Sequence, residues 1–451
     1  KLDYSLVSRK RNAKTIGNTQ YDLLTLKQNK KTGIEAPFSV TAFKDGQPVQ
    51  TNWYDGFTGA SEVTFPAGNY DVLKVDALQQ MPETNRRNNT LHLHKLFKRM
   101  EPLRLQPFGS LENPNRTQLF FAPAIGYNVY DKFMLGMAFY NSLIPVRPVQ
   151  FTLVPMYAVG SNSFSGIGEV SWNKYPSKVF EHVELAVGGA TFGNGNFSVF
   201  STDTSLTDRT LSTEVYKFYR IAPRLELTFK KKNPRHAIER RLTLRHVNVL
   251  RNTYNCPPNT NCSAVPQDFY LNELAFTCRN NRRINPLGWS VTMQQGKEFA
   301  LAQAEVKYLF SYGNSPKSGL AVRLFGAAFL QNNTLTDTNS PVLLPLTMRG
   351  GYDYAIDQVF IGRNEPEGFW THQVGTGAGG FKVPLSIGYT DKYLLAANLK
   401  ASVPMLKKLP LKLYADIGIP YTDVADDGLW SGKVFFDGGI ALTPVPDAIE
   451  V

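Results

Sequence analysis

Six histidines, His92, His94, His182, His236, His246 and His372, are the first residues to test for chemistry. None sits in a His-Glu-x-x-His run, so the zinc-peptidase helix signature is absent. His92 and His94 stand two apart, a spacing that in a helix would turn the rings to opposite sides and suit a shared metal poorly. Cys256 and Cys262 flank Pro257-Pro258-Asn259-Thr260-Asn261, a turn-rich loop able to close a small disulfide in an oxidising compartment. Cys278 is left over and reads as a small apolar strand residue. No histidine lies at finger-like spacing from the cysteine pair, which removes a four-ligand zinc site. Gly375 to Gly380 is glycine-rich but lacks the Lys-Ser/Thr of a phosphate loop, and no Gly-x-Ser-x-Gly elbow exists. The acid pairs Asp426-Asp427 and Glu365/Glu367 read as solvated carboxylates. The expectation is no catalytic residue, no metal and no cofactor in this segment.

The elements that carry these residues speak more clearly. In Gln303-Ala304-Glu305-Val306-Lys307-Tyr308, every second residue is apolar. Ala302, Ala304, Val306, Tyr308, Phe310 and Tyr312 fall on one side, and Gln303, Glu305, Lys307 and Ser311 on the other, as in a strand with one dry and one wet face. From Thr117 onward such segments recur without a convincing long helix. That is the pattern of a closed barrel, apolar outside and polar inside, of the outer-membrane type. The segments are 117–128, 132–142, 149–160, 164–174, 179–192, 212–230, 239–254, 268–280, 288–297, 299–312, 319–331, 342–352, 381–389, 393–403, 410–419 and 433–443. Two of them can be plug or loop, which gives an even count of 12 to 16 strands. Arg220, Arg224, Glu226, Gln303, Glu305 and Lys307 are the candidate lumen-facing residues.

Composition sets the limits. No run approaches the roughly 18 consecutive apolar residues a spanning helix needs. A hydrophobic fraction of 42% is still compatible with a barrel, whose strands hide their apolarity in alternation. The net charge of +12 is scattered over many strands rather than gathered on one face, which argues against nucleic acid and for acidic lipid head groups or a charged lumen. The chain starts at Lys1 with neither a methionine nor a signal-like stretch, and reads as a mature or partial chain.

Residues 1–90 differ from the rest. The alternating runs Gln20–Lys27 and Phe38–Phe43, the turn Lys44-Asp45-Gly46-Gln47, and runs near Val63–Phe65 and Asn69–Val75 predict a small β-sandwich. Residues 91–115 are basic and mildly amphipathic and predict a linker or interfacial helix, and 116–451 is the barrel. The longer connections, 193–211, 255–267 and the stretch after 331, fall on one side. With the first strand entering from the periplasm, that side is the exterior and the N-terminal domain is periplasmic. Gly350 to Lys382 breaks the rhythm. It reads as a plug-like loop or lumen wall, or more plainly as a long turn-rich loop.

Two stretches carry a family likeness: Pro82-Glu83-Thr84-Asn85-Arg86-Arg87-Asn88-Asn89 after Val72-Leu73-Lys74-Val75-Asp76, and Pro123 to Gly136 leading into Leu153-Val154-Pro155-Met156-Tyr157. Asp353-Tyr354 with Phe360-Ile361-Gly362-Arg363 adds a third patch. Together these resemble the C-terminal half of outer-membrane gluzincins, large proteins whose N-terminal half is a metallopeptidase of the aminopeptidase N type. The resemblance implies a barrel anchoring a periplasmic peptidase-like region in a Gram-negative outer membrane. Any zinc would belong to a domain upstream, because these residues hold no peptidase site. Outer-membrane lipid and lipopolysaccharide are the expected partners, with other outer-membrane or periplasmic proteins as further candidates. The rival readings are a porin or transporter, an accessory scaffold subunit, and a soluble all-β binding protein.

Overall fold

The computed structural model describes residues 2–29, 34–83, 85–95, 98, 103–109, 116–142, 146–176, 178–200, 211–233, 235–255, 263–312, 318–334, 342–349, 353–357, 374–375, 377–383, 388–403, 411–422 and 431–442. It is all-β, with no α-helix among the described residues, and the chain divides into compact units Lys1–Phe121 and Ala122–Val451.

The first unit contains β1 (Tyr4–Ile16), β2 (Thr19–Gln28), β3 (Phe38–Lys44), β4 (Gln47–Tyr54), β5 (Ala60–Pro66), β6 (Val72–Val75) and β7 (Thr90–His92). They form a three-stranded sheet, β1-β2-β5, and a four-stranded sheet, β4-β3-β6-β7. Asp45 and Gly46 both have positive φ, 52° and 80°, which is the backbone a two-residue hairpin needs between β3 and β4. Alternate residues of the two sheets, among them Tyr4, Leu6, Leu24, Leu26, Phe38, Val40, Phe65 and Leu73, make one buried cluster. β1 is a strand that alternation does not reveal, because its outer half, Lys10 to Ile16, is exposed on both faces.

Over 91–115, where a linker or interfacial helix is expected, the described residues include strand. Leu91 and His92 complete β7, and β8 (Leu103–Pro107) lies parallel to the first half of β9 (Thr117–Asn128), from Leu103↔Thr117 to Pro107↔Phe121. The backbone of these residues is satisfied by strand neighbours rather than by helical turns.

Beyond β9 the strands are β10 (Lys132–Tyr140), β11 (Val149–Ala158), β12 (Ser163–Lys174), β13 (Phe180–Phe200), β14 (Leu211–Phe229), β15 (Ile238–Asn255), β16 (Ser263–Pro266), β17 (Phe269–Asn280), β18 (Leu287–Gly296), β19 (Phe299–Ser311), β20 (Gly319–Asn332), β21 (Tyr393–Ser402), β22 (Leu411–Tyr421) and β23 (Phe435–Leu442). Together with β8 and β9 they form a 16-stranded sheet in chain order, with β16 off the path as a partner of β15. Leaving out β8 and β16, fourteen strands form the wall, and the registers from β10 to β23 are antiparallel. Among the described residues, β23 and β8 end the sheet without pairing to each other.

The predicted strands 342–352 and 381–389 are not in this sheet; their described residues form an inserted segment between β20 and β21. The predicted loop 193–211 is also shortened, because β13 runs on to Phe200 and β14 starts at Leu211. A bulge between Gly193 and Gly195 lets the long strand bend there without ending. Connections at one end of the wall include the 60-residue stretch 333–392, whereas none at the other end exceeds eight residues. β9 starts at the short-connection end.

The sheet curls. One inserted segment donates from Lys382 N to Asp437 on β23 at 3.0 Å, and its Ala355 carbonyl accepts from Arg220 Nε on β14 at 2.9 Å. Those strands are eight steps apart in the sheet order, roughly 38 Å if flat at about 4.8 Å per step. The same segment packs on itself through Leu344↔Thr390 and Leu346 N to the Gly388 carbonyl at 3.1 Å. A compact segment reaches both strands because the wall wraps around it, as a barrel-type sheet does.

Candidate functional site: the inner wall and its inserted segment

Strand parity separates the two faces of the wall. On β18, Leu287, Trp289, Val291 and Met293 point outward and are 36%, 40%, 40% and 55% exposed. Leu185 and Val187 on β13, Tyr219 and Ile221 on β14, and Phe436, Ile440 and Leu442 on β23 continue this exposed apolar face. The inner face is of two kinds. Toward the end carrying the long connection it is apolar: Phe218, Val247, Val249, Leu271, Phe299, Leu301, Phe325 and Leu394 form one buried cluster with Val342, Leu344, Leu346, Ala355, Ala378 and Phe381 of the inserted segment. The apolar residues that mimic strands in 342–352 and 381–389 are thus used for packing inside the wall. Gly350 to Lys382, more plainly a long turn-rich loop, keeps turns among its described residues and packs Ala355, Ala378 and Phe381 against the inner wall. Their apolar side chains lose water on the inside of the wall.

Polar residues bolt the segment in place. Asp357 Oδ1 accepts from Arg220 Nη2 at 2.6 Å and from Arg245 Nη1 at 2.7 Å. Tyr354 packs against Phe269 and Phe299, with ring centroids 5.8 Å away in both cases, and its hydroxyl donates to Gln294 Oε1 at 2.5 Å. Arg323 Nη2 donates to the Ala378 carbonyl at 2.7 Å, and Asn398 Nδ2 to the Gly379 carbonyl at 3.0 Å. Gly380 has φ +72°, and a Cβ there would meet Arg323 Nη1 at 2.6 Å, so glycine is what lets the backbone come this close. Lys382 Nζ pairs with the fully buried Asp416 carboxylate at 2.7 Å.

Of the six residues proposed from alternation, Arg220, Gln303, Glu305 and Lys307 join this network, whereas Arg224 and Glu226 pair with other wall residues. Arg220 holds Asp357; Arg224 pairs with Glu184 at 2.6 Å and Glu169 at 3.7 Å; Glu226 pairs with Arg241 at 3.1 Å. Gln303 donates to Gln294 Oε1 at 3.4 Å, and Glu305 pairs with Arg323 and, at 2.9 Å, with Lys307. Alternation did not single out Arg245, Glu273, Arg323, Asn398, Asp416 or Lys382. Arg245, Glu273, Arg323, Asn398 and Asp416 are polar residues within β15, β17, β20, β21 and β22, so the alternation of those strands carries their signal; nothing local announces Asp357 or Lys382. Cys256, Cys262, Glu365, Glu367, His372, Asp426, Asp427 and the Phe360–Arg363 patch lie outside the described residues. Cys278 is a free thiol, half-buried in β17.

A second polar centre ties strand ends together. The Asp131 carboxylate, fully buried, accepts from Asn128 Nδ2 at 2.9 Å, Ser161 Oγ at 2.5 Å and Gly193 N at 2.6 Å, with Lys217 Nζ at 4.0 Å. These groups come from the β9–β10 turn, the β11–β12 turn, β13 and β14. A third group, His182, Glu184 and Glu226, places one ligand atom of each within 4.8 Å of the others. Elsewhere the described inner wall offers paired ions and packed apolar groups.

No protein-family model matches the sequence, and no curated protein matches it, so the peptidase-type likeness finds no support. Among solved structures, the chain is similar to BamA from Haemophilus ducreyi lacking POTRA domains 1–3, at 9% identity and a TM-score of 0.39, covering 74% of this chain and 67% of that one. A likeness of that size carries no argument. The barrel-type fold rests on the chain's own strand pairing, alternation and inner packing.

Proposed function

We propose that this chain is an outer-membrane β-barrel whose lumen is stoppered by the described residues of the segment inserted between β20 and β21, and that it serves as a membrane anchor or scaffold rather than an open pore. The observation that carries the membrane reading is the outer face: Leu287, Trp289, Val291 and Met293 stand exposed in a row, matched on neighbouring strands. In water such a continuous apolar belt is an aggregation liability; in lipid it is the surface a barrel requires. Strand pairing around the wall satisfies the backbone groups that lipid cannot. The buried cluster between wall and inserted segment supports a stopper.

β9 starts at the short-connection end, which favours placing the N-terminal sandwich on the periplasmic side. A peptidase-like region attached upstream is a narrower version of the same reading, supported only by the sequence likeness. Outer-membrane lipid and lipopolysaccharide are the partners the apolar belt calls for. The test is extraction followed by planar-bilayer recording. The expected protein needs detergent, migrates faster unheated than heated on gels, and gives little or no steady conductance. Purification from the aqueous phase without detergent would remove the membrane reading, and a large ohmic channel would replace the anchor with a porin.

A further inference from the structure

His182 and Glu184 are two apart on β13 and so project from the same face, and Glu226 stands directly opposite Glu184 across the β13–β14 ladder. One ligand atom from each lies within 4.8 Å of the other two. Bonds of about 2.0–2.2 Å to a common ion bring ligand atoms to roughly 3–4 Å, so small side-chain rotations close the set. Two further observations point to an occupant.

The first is how the imidazole is held. Asn173 Nδ2 donates to the Arg147 carbonyl at 3.1 Å and to Ser171 Oγ at 3.3 Å, so the amide oxygen is the end that faces His182 Nε2, at 2.9 Å. An amide oxygen only accepts, so Nε2 carries the proton and Nδ1 holds the lone pair of the neutral ring. Tyr175 stacks on the ring at 4.8 Å and 22°. Fixing one ring nitrogen as a donor is how proteins set a metal-binding histidine. The second is charge. Arg224 is shared by Glu169 and Glu184, and Arg241 by Glu226 and Glu239. Four carboxylates thus face two guanidinium groups, leaving two negative charges, the amount one divalent cation neutralises.

We propose that His182, Glu184 and Glu226 form a binding site for a divalent first-row transition-metal ion on the inner wall. One imidazole with two carboxylates is a borderline donor set, suited to Zn²⁺ and its neighbours and poorly suited to Mg²⁺ or Ca²⁺, which take oxygen ligands. The site does not depend on whether the lumen conducts.

The experiment is equilibrium dialysis of the detergent-solubilised full chain against Zn²⁺, with Cys256, Cys262 and Cys278 changed to Ser so that thiolates cannot contribute. The expected result is one saturable Zn²⁺ per chain, not displaced by millimolar Mg²⁺. His182→Ala and Glu226→Gln should each abolish it, and Asn173→Leu should weaken it about 10- to 100-fold. Absence of saturable binding, or equal affinity in His182→Ala, overturns the proposal. Should these variants not assemble, Co²⁺ added to the cysteine-free parent decides the matter by NMR. Paramagnetic broadening of the His182 ring signals, with those of His246 spared, supports the site; unbroadened His182 signals overturn it.

Discussion

Arg245, on β15, donates from Nη1 to Asp357 Oδ1 at 2.7 Å, joining the wall to a residue 112 positions further along the chain. Glu273 on the adjacent strand accepts from Nη2 of the same guanidinium at 2.9 Å. The wall therefore presents a cation already aimed by a neighbouring carboxylate, and the inserted segment supplies the second one.

Removing Asp357 tests that clamp. In Asp357→Ala, Arg245 keeps Glu273 and Arg220 keeps the Ala355 carbonyl, so the wall should still assemble. The segment loses two charge-assisted hydrogen bonds, worth about 1.5–3 kcal/mol each before solvent screening, and less here because the carboxylate is about one third exposed. Amide exchange at Ile356 and Asp357, whose N–H groups bond to Asp353, should accelerate while exchange on β15 stays put. Unchanged exchange at 356–357 would show that apolar packing alone holds the segment.

The two faces of β19 make a paired test. Val306 is 40% exposed on the outer face, and Val306→Arg should cost about 2–4 kcal/mol of barrel stability if it lies near the bilayer midplane. Lys307 lies on the opposite face of the strand from Val306, pairs with Glu305 and stands opposite Arg323 in register. Lys307→Glu replaces a like-charge neighbour of Arg323 with an opposite one, so its effect should stay within about 0.5 kcal/mol. Urea unfolding in lipid vesicles reads both; equal losses would mean the faces are assigned wrongly.

Alternation made the wall legible because a strand between lipid and a polar interior must repeat every two residues, as Leu287 to Met293 do. The same rule misled at 342–352 and 381–389. Leu344, Leu346 and Phe381 are apolar because they pack against the inner wall, and an inserted segment with buried residues writes the same pattern as a strand. The opposite failure hid β1, whose Lys10 to Ile16 half has no buried face to impose a period. Gly193 and Gly195 read as loop because glycine usually marks turns, whereas here they make a bulge inside a long strand. The Asp357 clamp and the His182–Glu226 pairing join residues far apart in the chain, and no local spacing encodes them.

Asp131 is where strand ends are locked. Its carboxylate takes the Gly193 N–H, beside the β13 bulge, and sits by Lys217. Asp131→Ala leaves that N–H without its acceptor and removes the carboxylate beside Lys217, whose ammonium keeps the Phe164 carbonyl and Ser165 Oγ, an expected loss of about 1–3 kcal/mol. Gly193→Ala attacks the same contact sterically, since its Cβ would lie 2.9 Å from both Tyr130 Cβ and Val215 Cγ1. It should cost about 1–3 kcal/mol. The double variant should lose clearly less than the two single losses combined, because both break one junction. Strict additivity in denaturant melts would show the two groups to be uncoupled.

Glu83 gives the sandwich a pH dependence of defined sign. Burial pushes its carboxyl above the ordinary 4.5, outweighing the hydrogen bonds it accepts from Asn89 and the Tyr4 N–H. The folded unit therefore holds this proton at pH values where the unfolded chain has released it. Stability falls as pH rises from 4.5 to the raised folded value and is flat with respect to this group on either side. Glu83→Gln cannot ionise, so it should remove that slope, while its amide oxygen can still accept from Tyr4. Hydrogen exchange of the Leu24 and Leu26 amides in β2, corrected for the intrinsic pH dependence, reads the difference between the two proteins. An identical slope in the glutamine variant would mean that Glu83 is not the source of the pH dependence.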